Sequence, residues 1–226
     1  MLHAPRPVPT VENSLLSIDQ AGWENVHVFS EPGSEEVSAD QHVAVSRLGP
    51  FNNLLRSVTY LLDGKGYVLV FQDDVQVSRY ARELVDGLDI PEGVVSLYEP
   101  FESAEYAVDG LNLATETKHG YGALGYLFTR KCAKEFAKFH HPHKRRGLQA
   151  DLRVFNWCMQ MGFQYHWHSP SLIMHTGHTS SLGDRPLTVT RQCKWFAPDA
   201  RDLNYVVPGS RPDVTQIPAY SAHHSV

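Results

Sequence analysis

Two hydrophobic periodicities alternate along the first hundred residues. Val11, Leu15 and Ile18 share one face of a helix predicted over 10–21, with Thr10 as its cap and Gly22 as its stop. A short strand follows over 25–30, and the turn Glu31-Pro32-Gly33-Ser34 closes it. After the break at Gly49-Pro50, helical spacing returns at Phe51, Leu54, Leu55, Val58, Leu61 and Leu62. Residues 67–71 are then five consecutive apolar residues between Gly66 and Gln72, the pattern of a strand covered on both faces in a parallel sheet. A helix over 79–88 and a strand over 94–98 complete an order of alternating helices and strands. That order predicts an α/β fold: one Rossmann-like domain with a central, mostly parallel sheet flanked by helices. Its first strand must then fit into residues 1–5.

Beyond residue 100 the regularity loosens. Residues 102–117 predict a small antiparallel patch, and 120–128 combine glycines with an apolar run. Helices are predicted over 131–139 and 151–161, the second ended by Gly162 and followed by a strand over 164–168. From Ala197 the chain turns rich in Pro, Asp and Arg, which predicts a surface arm or tail over 197–226. The expected organisation is a catalytic domain over 1–196, with a nucleotide-binding half to residue 100 and an acceptor-side half after it.

Composition narrows the function classes. The chain has 226 residues, 42% hydrophobic and 20% charged, enough to bury a sizeable core. Its formal charge of -5 gives no general positive field for nucleic acid, and the basic cluster at 140–146 reads as a solvated loop. Cys132, Cys158 and Cys193 form no CxxC pair, which fits a reducing compartment. The opening residues lack the apolar run of a signal peptide, and no stretch approaches the roughly 20 apolar residues of a membrane span. A soluble, cytoplasmic protein is expected.

Three places carry candidate chemistry. Gln72-Asp73-Asp74 follows directly on the buried strand, where open α/β sheets place their ligands. Two adjacent carboxylates repel unless a cation shares their space, a need met by Arg or by a hard divalent ion such as Mg²⁺ or Mn²⁺ with phosphates as its other ligands. Exposed turn aspartates are the plainer alternative. In the second place, residues 170–181, an apolar lead runs into His175 and then a glycine- and hydroxyl-rich loop. His175 suits a metal shell, a phosphate contact or a structural turn. The third is Asp151 at a helix start, either a cap or a general base for an acceptor hydroxyl.

In order and spacing these segments resemble a known family. Val70-Phe71-Gln72-Asp73-Asp74-Val75 resembles the acidic metal motif of GT-A type, nucleotide-sugar-dependent glycosyltransferases. Pro170-Ser171-Leu172 with His175, Gly177 and Ser180-Ser181 resembles the C-terminal segment of the family of N-glycan-branching N-acetylglucosaminyltransferase IV enzymes. The segment 120–130, and Arg6-Pro7 with the helix after it, are similar to further parts of that family, over roughly residues 4–185. The resemblance implies a metal-dependent glycosyltransferase, using Mn²⁺ or Mg²⁺ and a nucleoside-diphosphate sugar, UDP-linked by preference, with a hydroxyl acceptor on a glycan, a small molecule or modified nucleic acid. It implies that Asp74 and His175 hold the metal, that Asp73 contacts the donor or supports the metal, and that Arg6 and Glu31 lie near the nucleotide. It further implies that Gly122 and Gly125 line the donor sugar and that Asp151 activates the acceptor.

A single base opposite the leaving diphosphate implies inversion at the sugar carbon. The rivals are a metal-dependent nucleotidyltransferase using the same Asp pair and, outside enzymes, a nucleotide- or sugar-binding module in which the neutral Gln72 marks lost catalysis. The glycosyltransferase reading requires Asp74 and His175 to lie within about 10 Å of each other, since a first metal shell reaches no further.

Overall fold

The computed structural model describes residues 1–100, 103–122, 124–139, 149–177 and 193–203, together with the backbone of three short strands at 179–180, 183–186 and 215–216. The basic cluster 140–146, the residues Gly147, Leu148 and Ser181, and most of the C-terminal arm lie outside the described residues.

Alternation of helices and strands builds most of residues 1–100 as the hydrophobic pattern predicts. Strand β1 (Leu2–His3) pairs in parallel with β2 (His27–Ser30), and β2 with β3 (Asp40–Val43). Helix α1 (Val11–Gln20) connects the first two strands. Its cap differs from expectation, since the Thr10 side chain makes no capping hydrogen bond. Helix α2 (Pro50–Tyr60) begins at its proline, where a missing amide costs nothing, and leads to β4 (Val68–Phe71).

A second sheet has the order β4, β8 (Gly125–Phe128), β6 (Gly93–Ser96), β9 (Gln164–Ser169) and β7 (Gly110–Leu113). Leu2 bridges Gln72 in parallel, so the two sheets run on from one another across β1 and β4. Strands β1–β4, β6 and β9 therefore share one direction; β7 and β8 oppose it. The central sheet is mostly parallel by direction, as expected. Two details differ. The buried strand β4 has the antiparallel β8 on one side, and the antiparallel patch expected over 102–117 is β7, an edge strand of the main sheet.

Side chains alternate between the two faces, and each face is covered. Phe71, Val95, Leu97 and Leu127 join Val11, Ile18, Ala81 and Val85 under α1 and α3 (Ala81–Gly87). Val70, Val94, Tyr126 and Tyr165 face the other way, toward α2, α4 (Arg130–Ala137) and α5 (Ala150–Met161). The expected surface arm packs in as far as the described residues reach. Asp199 bridges Arg79, and Ala197, Ala200 and Leu203 are buried in the first cluster. Among the described residues, no helix is long and apolar enough to cross a membrane.

Two strands before residue 100 escape the sequence pattern, β3 and the strand that follows β4. Val75–Val77 forms β5, which pairs antiparallel with β10 (Ile173–His175) so that Val75 lies opposite His175. This two-stranded ribbon carries the candidate site.

Candidate functional site

The turn after β4 is shaped by small side chains on α1. Ser14 Oγ donates to the Asp73 carbonyl (2.9 Å) and accepts from the Val75 amide (3.0 Å). One turn on, Ser17 Oγ accepts from the Val77 amide at 3.1 Å. Each hydroxyl replaces a backbone partner, so the helix can lie directly on the turn and its buried polar groups stay satisfied. Asp73 and Asp74 are thereby fixed in the interior, each 2% exposed.

The two carboxylates face different partners. Asp73 Oδ1 accepts from Arg6 Nε (3.0 Å) and Nη2 (2.6 Å), and its Oδ2 accepts from the Ala4 amide (2.9 Å). Both of its oxygens are thus engaged by the segment after β1. Asp74 Oδ2 lies 2.9 Å from Arg6 Nη2 and 2.7 Å from His175 Nε2. The ribbon makes the second contact. The Thr176 amide donates to the Asp74 carbonyl at 2.8 Å, and the β5–β10 register sets His175 beside the acid. Gly177 closes the site, because a Cβ there would lie 2.5 Å from Asp74 Oδ2.

Electrostatics separates the neighbouring acids. Burial by itself raises both. At Asp74 the hydrogen bond and charge of His175, with the charge of Arg6, overcome burial and hold the carboxyl below its ordinary range. At Asp73 burial prevails over the bonds from Arg6 and pushes the carboxyl up. Burial opposes the charge on Arg6, but Asp74 and Asp73 outweigh it and hold its guanidinium protonated.

The donor set fits a divalent ion. Asp74 Oδ1 is buried with no hydrogen-bond partner, and so is His175 Nδ1. The Nε2–Oδ2 separation of 2.7 Å is close to the roughly 3 Å between adjacent ligands of an octahedral ion with bonds of about 2.1 Å. Those two atoms are hydrogen-bonded to each other. Two protein ligands leave the other positions to water and phosphate, the usual coordination for Mg²⁺. Among the described residues no group of three or more His, Cys, Asp or Glu side chains gathers, so an ion here would take at most this pair from them.

The remaining candidates flank this cluster. Glu31 follows β2, is 4% exposed, and receives the Leu48 amide on Oε2 at 2.8 Å; its Oε1 is buried without a hydrogen-bond partner. Its amide bonds the His3 carbonyl, so it stands at the same strand ends as Arg6. Asp151, in the first turn of α5, receives the Gly122 amide on Oδ2 (2.9 Å) and the Leu152 amide on Oδ1 (2.8 Å). Two residues past Gly122, the Leu124 carbonyl receives the Gln72 amide at 2.9 Å. The Asp151 loop and the acidic turn are therefore neighbours at one end of the sheet.

The glycines allow close packing. A Cβ on Gly125 would meet Ile173 at 2.0 Å and Phe71 at 3.1 Å, so its lack of a side chain lets β10 pack on β4 and β8. Gly122 has a φ of +98° and lies against the Tyr98 ring, where a Cβ would come within 2.3 Å. Its visible task is to aim an amide at Asp151. Reading the sequence also missed Ser14 and Ser17, whose spacing of three on a helix preceding an acidic turn was the available signal.

No protein-family model matches the chain, and no curated protein matches it, so the likeness to the N-acetylglucosaminyltransferase IV family stands on the quoted motifs alone. Solved structures give looser neighbours. One is a putative glucose-1-phosphate thymidylyltransferase from Bacillus anthracis in complex with a sucrose: 15% identity, a TM-score of 0.49, and coverage of 77% of this chain and 88% of that one. Another is a CMP:2-keto-3-deoxy-manno-octonic acid synthetase complexed with CTP: 12% identity, a TM-score of 0.43, and coverage of 74% and 87%. Likeness at this level says nothing of the chemistry here, which stands on the residues themselves.

Proposed function

We propose that the chain is a divalent-cation-dependent transferase that moves a sugar from a nucleoside diphosphate, UDP by preference, to an acceptor hydroxyl with inversion. The observation that carries it is the meeting of Asp74 and His175 at 2.7 Å beyond the end of β4. Asp74 and His175 would hold Mn²⁺ or Mg²⁺, and that ion, when bound, offsets the charge developing on the departing diphosphate. Asp73 and Arg6 orient Asp74, and Arg6 can also turn its planar fork of donors toward a phosphate. Glu31 offers a buried acceptor at the nucleoside side. Asp151, held by two amides, accepts the proton of the acceptor hydroxyl as that oxygen attacks the sugar carbon. The acceptor hydroxyl must approach to about 3 Å of Asp151 for this transfer.

Nucleotidyl transfer is the second reading, because the same Asp pair would serve it. A single Asp–His pair suits one ion better than the two-ion clamp common in that chemistry. The deciding experiment supplies purified protein and Mn²⁺ with a panel of nucleotide sugars, reading nucleoside diphosphate, and in parallel with nucleoside triphosphates and sugar phosphates, reading pyrophosphate. Diphosphate release lost in Asp74→Asn supports glycosyl transfer. Pyrophosphate release alone replaces it with the second reading, and turnover of neither with retained nucleotide binding points to the non-catalytic module.

A further inference from the structure

Arg6 contacts the same oxygen of Asp74 that faces His175. Its Nη2 lies 2.9 Å from Asp74 Oδ2 and 2.6 Å from Asp73 Oδ1, and its side chain is 8% exposed. Two carboxylates and one guanidinium leave the cluster with one net negative charge before His175 is counted. A bare divalent ion entering this dry site must take Asp74 Oδ2 while the guanidinium still occupies it at 2.9 Å, and like charges at such range repel strongly even at an effective dielectric constant of about 20. An ion that arrives with a multiply negative diphosphate meets no such barrier, and the diphosphate gives the guanidinium a new bidentate partner.

We propose that Arg6 is a resident counter-cation that makes metal binding conditional on the diphosphate. With no ligand it holds Asp74 in register. As a metal–diphosphate enters, its Nη2 leaves Asp74 Oδ2 for a phosphate oxygen while Nε stays on Asp73. Metal and diphosphate then bind synergistically, and the acidic pair does not capture free cations. No bond is made or broken in this exchange beyond hydrogen bonds and ion pairs. The inference rests on the transferase reading of the site, and the buried, unpartnered Asp74 Oδ1 is the second sign that a ligand belongs there.

The test is Mn²⁺ binding, read from the electron paramagnetic resonance signal of the free ion, with Mn²⁺ alone, with UDP and with inorganic pyrophosphate. Arg6→Met is compared with Arg6→Met/Asp73→Asn. The double variant leaves no unpaired Asp73 and keeps the cluster's net charge, so it carries the test even where the single one fails to fold. Wild type is expected to bind Mn²⁺ at least tenfold tighter with a diphosphate present. The double variant is expected to bind Mn²⁺ alone at least tenfold tighter than wild type does, with less than threefold added by diphosphate. If the double variant binds Mn²⁺ alone no tighter than wild type but still takes the Mn²⁺–diphosphate, Arg6 is a structural tie and the inference fails while the transferase reading stands. Absence of Mn²⁺ binding by both proteins in every condition overturns the transferase reading itself.

Discussion

Asp74 and Asp151 are buried acids at one end of the same sheet, and they are secured in different ways. Arg6 and His175 reach Asp74 with charged or polar side chains from segments far apart in the sequence. Asp151 has the main-chain amides of Gly122 and Leu152 among its partners. A side-chain partner can move away, exchange its proton or yield to a metal. An amide cannot leave without moving the chain. The first arrangement suits a place where ligands come and go, the second an acid whose direction must stay constant.

The sharpest way to break this contrast is to neutralise each acid in turn. Asp74→Asn should lower turnover of a nucleotide sugar at least 1,000-fold, or about 4 kcal/mol, and abolish Mn²⁺ binding with the fold intact by near-ultraviolet circular dichroism. Asp151→Asn should lower kcat by about 100- to 1,000-fold yet leave Mn²⁺ and nucleotide binding within about threefold of wild type. Equal loss of metal binding in both variants would erase the distinction.

Acid stability separates the fold's proton demands from those of the site. Burial holds His168, whose Nδ1 lies 2.7 Å from the Pro170 carbonyl oxygen, down to about 4. The unfolded chain takes that proton from about pH 6.5 downward and the folded chain does not. This part of the stability is therefore whole above pH 6.5 and falls by about 3 kcal/mol as pH drops toward 4. The depressed Asp74 adds its own loss only below the usual carboxylate range. Urea unfolding at pH 7, 5.5 and 4.5 should show the decline in wild type and a flatter profile in His168→Asn; parallel slopes would assign it elsewhere. The smallest effect is expected from Gly122→Ala, which forces a side chain onto a φ of +98° against Tyr98. About 1–3 kcal/mol of stability and about tenfold in kcat should go, with Mn²⁺ binding unchanged.

Local signals made much of this legible. The apolar run of β4 marked a central strand, and the acids directly after it had to lie at that strand's end. Helix α5 and its first-turn acid were readable from spacing and from Gly162. What stayed hidden depends on distant segments. Strand β5 is three residues long with one polar position, too short for periodicity to distinguish from a loop, and only its pairing with β10 makes it a strand. That Gly125 makes room for Ile173 and Phe71 was equally hidden, because Ile173 lies in a distant segment of the sequence. Arg6 was expected near a nucleotide; that it first ties both aspartates follows from β1 lying beside β4, a neighbour relation no local pattern records.

The Asp74–His175 contact spans 101 residues of sequence, and the Arg6–Asp73 contact spans 67. Contacts of such separation close late during folding, after most of the loop-closure entropy has been overcome. A nascent chain that has just emerged past β4 can join Arg6 to the acids but has no imidazole to set beside them. The functional centre thus comes into being only when the ribbon from the far end docks, and a chain cut short before His175 would be born with half of it.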